Sequence, residues 1–351
     1  MDRLTMYATL KQRETLAAMK IGWFSCLVAP DEAPADTQTG LRVRRRLFSD
    51  MAMWFFALDD ALFDEPDVGG LDDVELTCLH LDRVLENPAI AGADAWPVVA
   101  TRDLRIRTQH IATPGQLEQW ISAMRSYLLG AALSSKRRVH GMTLNDYVTI
   151  RLEEGAVPLV TTTIPIVGGY ELPQATKQDS RVRALDDMAN FLTMWDNDLF
   201  GYARETFRSQ QYGYPPLPNA MTILAADCGA DVAAGMHMAV AVRDRVMSLF
   251  LRLSREIARE ADPLLERYVK ALGYFVRGFL EWSLNITRRF AHGADAGDAI
   301  PGSEFVLPTI GAARPTNFSP EPLDLPVIAW WWDQLSSSPD AAAPSGLRQS
   351  C

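Results

Sequence analysis

The chain has 351 residues, 48% of them hydrophobic, enough for a sizeable core in one large domain or two small ones. Its 44 acidic against 34 basic residues give a formal net charge of -10, and such a surface repels phosphates and argues against nucleic acid as a partner. Cys26, Cys78, Cys228 and Cys351 form no C-x-x-C pair and His80, His110, His140, His237 and His292 are dispersed, so neither a disulfide framework nor a thiol or histidine metal cluster is expected. No apolar run approaches the ~20 residues of a membrane span, so integral membrane association is not expected either. Asp2, Arg3, Lys11, Arg13 and Glu14 interrupt the amino terminus, which does not read as a signal peptide, and a reducing cytoplasm is the expected location.

Helical periodicity dominates and alternating strand patterns are nearly absent, which predicts an all-α protein. In chain order, helices are predicted over 4–28, 41–64, 72–86, 114–134, 143–168, 178–206 and 229–260. In the second, the apolar run Trp54-Phe55-Phe56-Ala57-Leu58 leads to Asp59 and Asp60, and Pro66 stops the helix. A carboxylate at the inner end of an apolar helix is costly unless paired or bound to metal. Asp59 and Asp60 are about 100° apart on a helix, so Asp59 is the candidate ligand and Asp60 turns away or is hydrogen-bonded. Thr113-Pro114 and Asp262-Pro263 each read as an N-cap followed by proline at the first helical position.

In the helix over 143–168, Arg151 lies in an otherwise apolar setting, 46 residues before Asn197. The common reading of such an arginine is a buried ion-pair partner or a snorkelling side chain. Pro158 lacks an N–H and leaves the carbonyl of Glu154 without its usual partner beside the permissive Gly155, which predicts a helix break there.

The next helix carries the most informative segment, Asn197-Asp198-Leu199-Phe200-Gly201-Tyr202-Ala203-Arg204-Glu205. Positions four or seven apart share a helix face, so Asn197, Gly201, Arg204 and Glu205 form one stripe. An amide oxygen and a carboxylate are hard ligands suited to magnesium, and an arginine fork grips phosphate oxygens. That face therefore carries the parts needed to hold a magnesium–diphosphate group. The bland alternative is a charged, solvent-facing helix.

Gln210 to Pro218 reads as a loop placed to close over that stripe. After Asp262 the stripe Leu265, Tyr268, Leu272, Phe275, Phe279 and Trp282 marks a long core helix, followed by Arg288-Arg289-Phe290. Glycine, proline, alanine and serine prevail from about Ala291, and 336–351 reads as a disordered tail. Trp330-Trp331-Trp332 interrupts that composition, and its expected role is to dock the tail back onto the domain.

Four of these segments, in this order, resemble class I terpene synthases of the microbial, single-α-domain type. Asp59-Asp60 through Asp64 is similar to their D-D-x-x-x-D/E motif, and Asn197 through Glu205 to N-D-x-x-S-x-x-R/K-E with Gly201 at the serine position. Arg151, Glu154 and Gly155 match the family's diphosphate-sensing arginine, acidic linker and small effector. Trp282 through Phe290 resembles its tryptophan-to-Arg-Tyr segment: the family's spacing points to Arg288 as the late diphosphate contact, helical geometry to Arg289.

The resemblance implies an all-α, single-domain antiparallel bundle over 1–290, a partly docked extension over 291–335 and a tail over 336–351. It implies a terpene cyclase that ionises farnesyl or geranylgeranyl diphosphate with three magnesium ions, held by Asp59, Asp60, Asp64, Asn197, Gly201 and Glu205. Arg151, Arg204 and Arg288 or Arg289 would take the diphosphate. Phe55, Phe56, Trp195 and Trp282 are the aromatic candidates to steady the cation, each contact worth up to about 2 kcal/mol when desolvated, with ordinary core packing expected for at least half of them. Val160, Thr161, Thr162 and Thr163 suggest a roomy wall. The expected partners are the prenyl diphosphate and, at most, a second copy of the chain in a homodimer. The alternatives are a chain-elongating prenyltransferase, for which Asn197-Asp198 with Glu205 is the wrong second motif, or a non-catalytic helical protein with a degenerate site.

Overall fold

Short polar side chains and prolines set the helix starts, as the sequence leads one to expect. Asp262 accepts hydrogen bonds from the backbone N–H groups of Leu264 and Leu265, each at 2.9 Å, with Pro263 opening the helix. At Thr113 the cap is reciprocal: its Oγ1 accepts from Gln116 N at 3.2 Å while Gln116 Oε1 accepts from Thr113 N at 3.1 Å. In a computed structural model of the chain, residues 10–29, 38–61, 73–90, 95–137, 142–213, 217–290 and 319–335 are described.

In order, the helices are α1 Leu10–Ala18, α2 Ile21–Val28, α3 Gln38–Asp59, α4 Val74–Glu86, α5 Trp96–Ile111, α6 Pro114–Arg137 and α7 Leu144–Glu154. They continue with α8 Val157–Gly168, α9 Gln174–Gln178, α10 Ser180–Tyr212, α11 Ala220–Asp227, α12 Val232–Ala258, α13 Pro263–Asn285 and α14 Pro326–Ala329, then a 3₁₀ turn at Trp332–Gln334. Among the described residues there is no strand, and no single helix is long and apolar enough to cross a membrane. The architecture is the all-α bundle: α10 lies against α12, α13 and α8, while α3 packs on α5 and α8 and α2 on α13. One continuous apolar core runs through it, from Phe48 and Trp54 of α3 to Leu185, Leu192 and Trp195 of α10 and Leu272 and Phe275 of α13.

Several boundaries differ from expectation. The first predicted helix is broken at Met19-Lys20, where Lys20 takes φ 56°. Helix α10 runs to Tyr212, past the expected end at 206, so the closing loop is shorter than the sequence suggests, and 214–216 lie outside the described residues. Helices α5, α9, α11 and α14 escape the periodicity argument, and α5 and α11 show why. Along α5 the buried face reads Val98, Thr101, Leu104, Arg105 and Thr108, an apolar stripe diluted by three polar residues. Two of the three are satisfied locally, Thr101 Oγ1 donating to Pro97 O at 2.7 Å and Arg105 Nε to Leu85 O at 2.9 Å, while Thr108 is simply enclosed. Helix α11 has only eight residues, too few to show a period.

The tryptophan cluster does return to the bundle. Trp331 is fully buried, 5.7 Å from Phe191 of α10 between ring centroids, and Val327 N donates to Asn145 Oδ1 on α7 at 3.0 Å. Residues 291–318 and the expected tail 336–351 lie outside the described residues.

Candidate active site

At one end of the bundle, α3, α7 and α10 converge on a polar pocket. It is lined by Asp59, Arg151, Glu154, Asn197, Asp198, Gly201, Arg204, Glu205 and Arg289, with an apolar rim that includes Met142, Leu217 and Pro218. Helix α3 ends at Asp59 and continues through Asp60 and Ala61 with wider, π-type winding, a geometry found at functional sites. Asp59 is partly exposed and lines the pocket, whereas Asp60 is buried. Both carboxylates meet one guanidinium: Arg289 Nη2 is 3.1 Å from Asp59 Oδ2 and Arg289 Nη1 is 3.0 Å from Asp60 Oδ1. Arg204 Nη2 also approaches Asp60 Oδ1, at 3.6 Å. Asp64 lies outside the described residues.

Opposite them, Asn197 Oδ1 accepts from Arg151 Nη2 at 2.9 Å. Arg151 also pairs with Asp198 Oδ1 at 3.0 Å and with Glu154 Oε1 at 3.1 Å. Burial works against its charge, but Asp198, Tyr147 and Glu154 outweigh that and hold its pKa well above the ordinary value. Asp198 is buried, and desolvation raises its pKa against the pull of Arg151 and of the hydrogen bond that Tyr147 donates to it. Glu205 folds back over Gly201: a Cβ at position 201 would lie 2.6 Å from Glu205 Oε1. From the start of α11, the buried Asn219 donates to Asp198 O at 3.1 Å and places its Nδ2 3.5 Å from Glu205 Oε2. Tyr147, Asp198 and Asn219 are the partners that spacing did not reveal. Only their burial beside the stripe marks them.

Below the polar pocket, and sharing Asp59, Arg151, Glu154, Asn197 and Arg289 with it, an apolar cavity opens between α3, α6, α8, α10 and α13. Phe24, Phe55, Phe56, Phe275 and Phe279 line it, together with Tyr127, Val160 and Thr193. Its rim carries the break between α7 and α8. Gly155 caps α7 with its N–H donating to Arg151 O at 3.1 Å, and Ala156 turns the chain at φ 54°, a conformation costing alanine about 1–2 kcal/mol. Gly130 of α6 lets that helix approach the break, since a Cβ there would stand 2.5 Å from Glu154 N.

The geometry corrects three expectations and decides between the two late arginines. Trp195 does not face the cavity: it is fully buried, stacks on Phe191, and donates from Nε1 to Ala239 O at 2.8 Å, toward α12. Trp282 stands one layer behind, packed on Phe24, Phe56 and Phe279 with Nε1 donating to Met19 O at 2.7 Å. Arg288 is exposed and its N–H bonds Ala18 O, so of the two late arginines Arg289 is the one at the pocket. Of the expected roomy wall only Val160 lines this cavity, because Thr161 and Thr162 point to a separate one.

Residues 50–248 match the family described as terpene synthase family 2, C-terminal metal binding. The chain is also 30% identical over 341 residues to a germacradien-6-ol synthase of Streptomyces pratensis, across 95% of this chain and 90% of that protein. The chain is a class I terpene synthase. Further similarity is to the bonnadiene synthase of Allokutzneria albata, 31% identical over 333 residues, 90% of this synthase and 86% of that one. In three dimensions the synthase is similar to a crystal structure of a tryptophan-to-tyrosine variant obtained by ancestral sequence reconstruction. The TM-score is 0.78 at 26% identity, covering 95% of this synthase and 90% of that chain. Its relatives support a terpene cyclase, and its family is a metal-binding one, which implies use of a divalent metal.

Proposed function

We propose that the synthase ionises a linear allylic diphosphate, farnesyl or geranylgeranyl, with magnesium, and cyclises the resulting cation in the cavity beneath. The observation that carries this reading is the shared lining: carboxylate and amide oxygens of Asp59, Asn197 and Glu205 face one pocket with Arg151, Arg204 and Arg289, directly above a phenylalanine-lined cavity.

The donor set fits magnesium. All three side chains offer hard oxygens, and the space beside Gly201 is filled only by the movable carboxylate of Glu205. Among the described residues no three acidic, histidine or cysteine side chains cluster closely enough to hold an ion alone. That suits a cation that keeps waters and takes substrate phosphate oxygens. Asp59, Asn197 and Glu205 would hold it, with the buried Asp60 beside Asp59; the resemblance implies three ions and a part for Asp64. When bound, the metal supplies Lewis-acid neutralisation of the departing diphosphate.

The chain's own residues do the rest. Arg151, Arg204 and Arg289 present guanidinium forks to the leaving group's oxygens. The Arg151–Glu154 pair ties that contact to the break at Gly155-Ala156, which lines the apolar cavity. There Phe55 and Phe56 offer ring faces, and Arg289 already sits 4.8 Å over the ring of Phe56. Phe24, Phe275 and Phe279 line the cavity and exclude water from its apolar part.

Incubation with magnesium and each diphosphate, reading diphosphate release and the extracted products by gas chromatography, tests the reading. A cyclised product is expected; a longer linear diphosphate would mean chain elongation, and no release would mean a degenerate site. Asn197→Ala and Glu205→Gln should each lower turnover at least about a hundredfold with melting unchanged. Wild-type turnover in either variant at limiting magnesium would overturn the ligand assignment.

A further inference from the structure

A second cavity, of about 280 Å³, lies between α6, α8, α9, α10 and α13, away from the diphosphate pocket. Polar side chains, Asp186, Lys177, Gln119 and Thr162 among them, share its walls with Pro165, Leu172 and Val182. Asp186 Oδ1 accepts from Tyr268 Oη at 2.6 Å, and Lys177 Nζ donates to Gln119 Oε1 at 2.7 Å. A polar space of that size holds several waters.

This cavity and the apolar one share the same face of α10. Asp186 lines the former; Thr193 and Asn197 line the latter. Positions 186, 190, 193 and 197 fall within about 60° of one another on a helix, so Asn190 belongs to that face, one turn from each cavity's lining. Asn190 is only 5% exposed, and its Oδ1 has no hydrogen-bond partner. A buried amide oxygen without a partner is costly, and leucine would fill the volume without that cost. Water offers it a partner.

We propose that the file Asp186–Asn190–Thr193 on α10 leads water from the polar cavity to the floor of the apolar one, and that the synthase ends its cation cascade by capturing that water, releasing a hydroxylated terpene. The inference rests on the functional reading above. In the step, a lone pair of the water oxygen forms a C–O bond to the final carbocation. The oxonium then loses one proton along the file, where the carboxylate of Asp186 is the first base and the polar cavity delivers the proton to solvent. Cation and water thus give alcohol and proton, with no oxidant or reductant. Burial raises the pKa of Asp186 to about 7, partly offset by the bond from Tyr268, so a basic fraction is present at neutral pH.

The buried Tyr127 hydroxyl, which lines the apolar cavity and also has no partner, is the competing place for a water. Reaction in oxygen-18 water, with the products resolved by mass spectrometry, separates the two. The wild type should yield an alcohol carrying the label. Asn190→Leu should lower the alcohol-to-hydrocarbon ratio about tenfold, the worth of one hydrogen bond to the water, whatever the total rate. Thr193→Val should act in the same direction, which keeps the test open if the leucine variant fails to fold. A hydrocarbon product alone, an unlabelled alcohol, or a ratio lowered by Tyr127→Phe and not by either file variant overturns the proposal. Absence of diphosphate release from either substrate would instead defeat the functional reading itself, and this inference with it.

Discussion

A methyl group added at position 130 would stand 2.5 Å from the backbone N of Glu154, whereas one added at 201 would stand 2.6 Å from the carboxylate oxygen of Glu205. The two distances are alike and their consequences opposite. Backbone at the α7–α8 break cannot give way without moving Gly155 and Ala156, so Gly130→Ala should cost about 1–3 kcal/mol in urea unfolding and change the product pattern. The tip of Glu205 can rotate, so Gly201→Ala should gain up to about 1 kcal/mol from helix propensity. A Gly130→Ala protein as stable as the wild type would show that the break is soft. The stripe Asn197, Gly201, Arg204 and Glu205 was legible because it lies inside α10, where angular arithmetic holds over every residue. Arg288 and Arg289 lie beyond α13, which ends at Asn285, so the arithmetic had no helix to act on.

Between elements, what fixes α10 against α12 is a charge pair that the sequence did not advertise. Arg243 binds Asp196 through two hydrogen bonds, Nε to Oδ1 and Nη2 to Oδ2, the latter at 2.9 Å, with both side chains buried. The partners are 47 residues apart, a separation to which no periodicity points. Truncating one leaves the other charge buried alone, so Asp196→Ala should destabilise by about 3–5 kcal/mol. Replacing both, as Asp196→Leu with Arg243→Met, should recover more than half of that loss. A double-mutant cycle by urea denaturation reads the coupling, and a single truncation costing under about 1 kcal/mol would mean that the pair contributes little. The missed helix α5 teaches the same lesson from the other side: its buried Thr101, Arg105 and Thr108 are satisfied by carbonyls or simply enclosed, and a pattern of apolar residues cannot register them.

For the molecule as a whole, the diphosphate pocket and the cavity beneath it are narrow. Their volumes are about 60 and 70 Å³, room for a few waters and far short of a fifteen-carbon chain. Arginine–carboxylate pairs draw the walls together: Arg289 joins the end of α3 to the segment after α13, and Arg151 joins α7 to α10. The segment 319–335 braces α7 through Asn145 and α10 through the buried Trp331 against Phe191. A magnesium ion alone would have to separate Asp59 from Arg289, leaving that guanidinium with Asp60 as its one remaining carboxylate among those it meets here. Inorganic diphosphate alone would have to draw Arg151 and Arg289 from their acidic partners, leaving carboxylates without a cation. Together the two ligands exchange partners with the pairs, cation to carboxylate and anion to guanidinium, and no charge is stranded. Each by itself should therefore shift the melting temperature little. Both at about a hundred times their joint dissociation constants should add about 2.7 kcal/mol, on the order of 5 °C. Differential scanning fluorimetry with magnesium, diphosphate and the mixture measures this without turnover. Shifts that merely add would show that the ion pairs do not couple the two sites, and loss of the joint shift in Asn197→Ala would place the metal on α10.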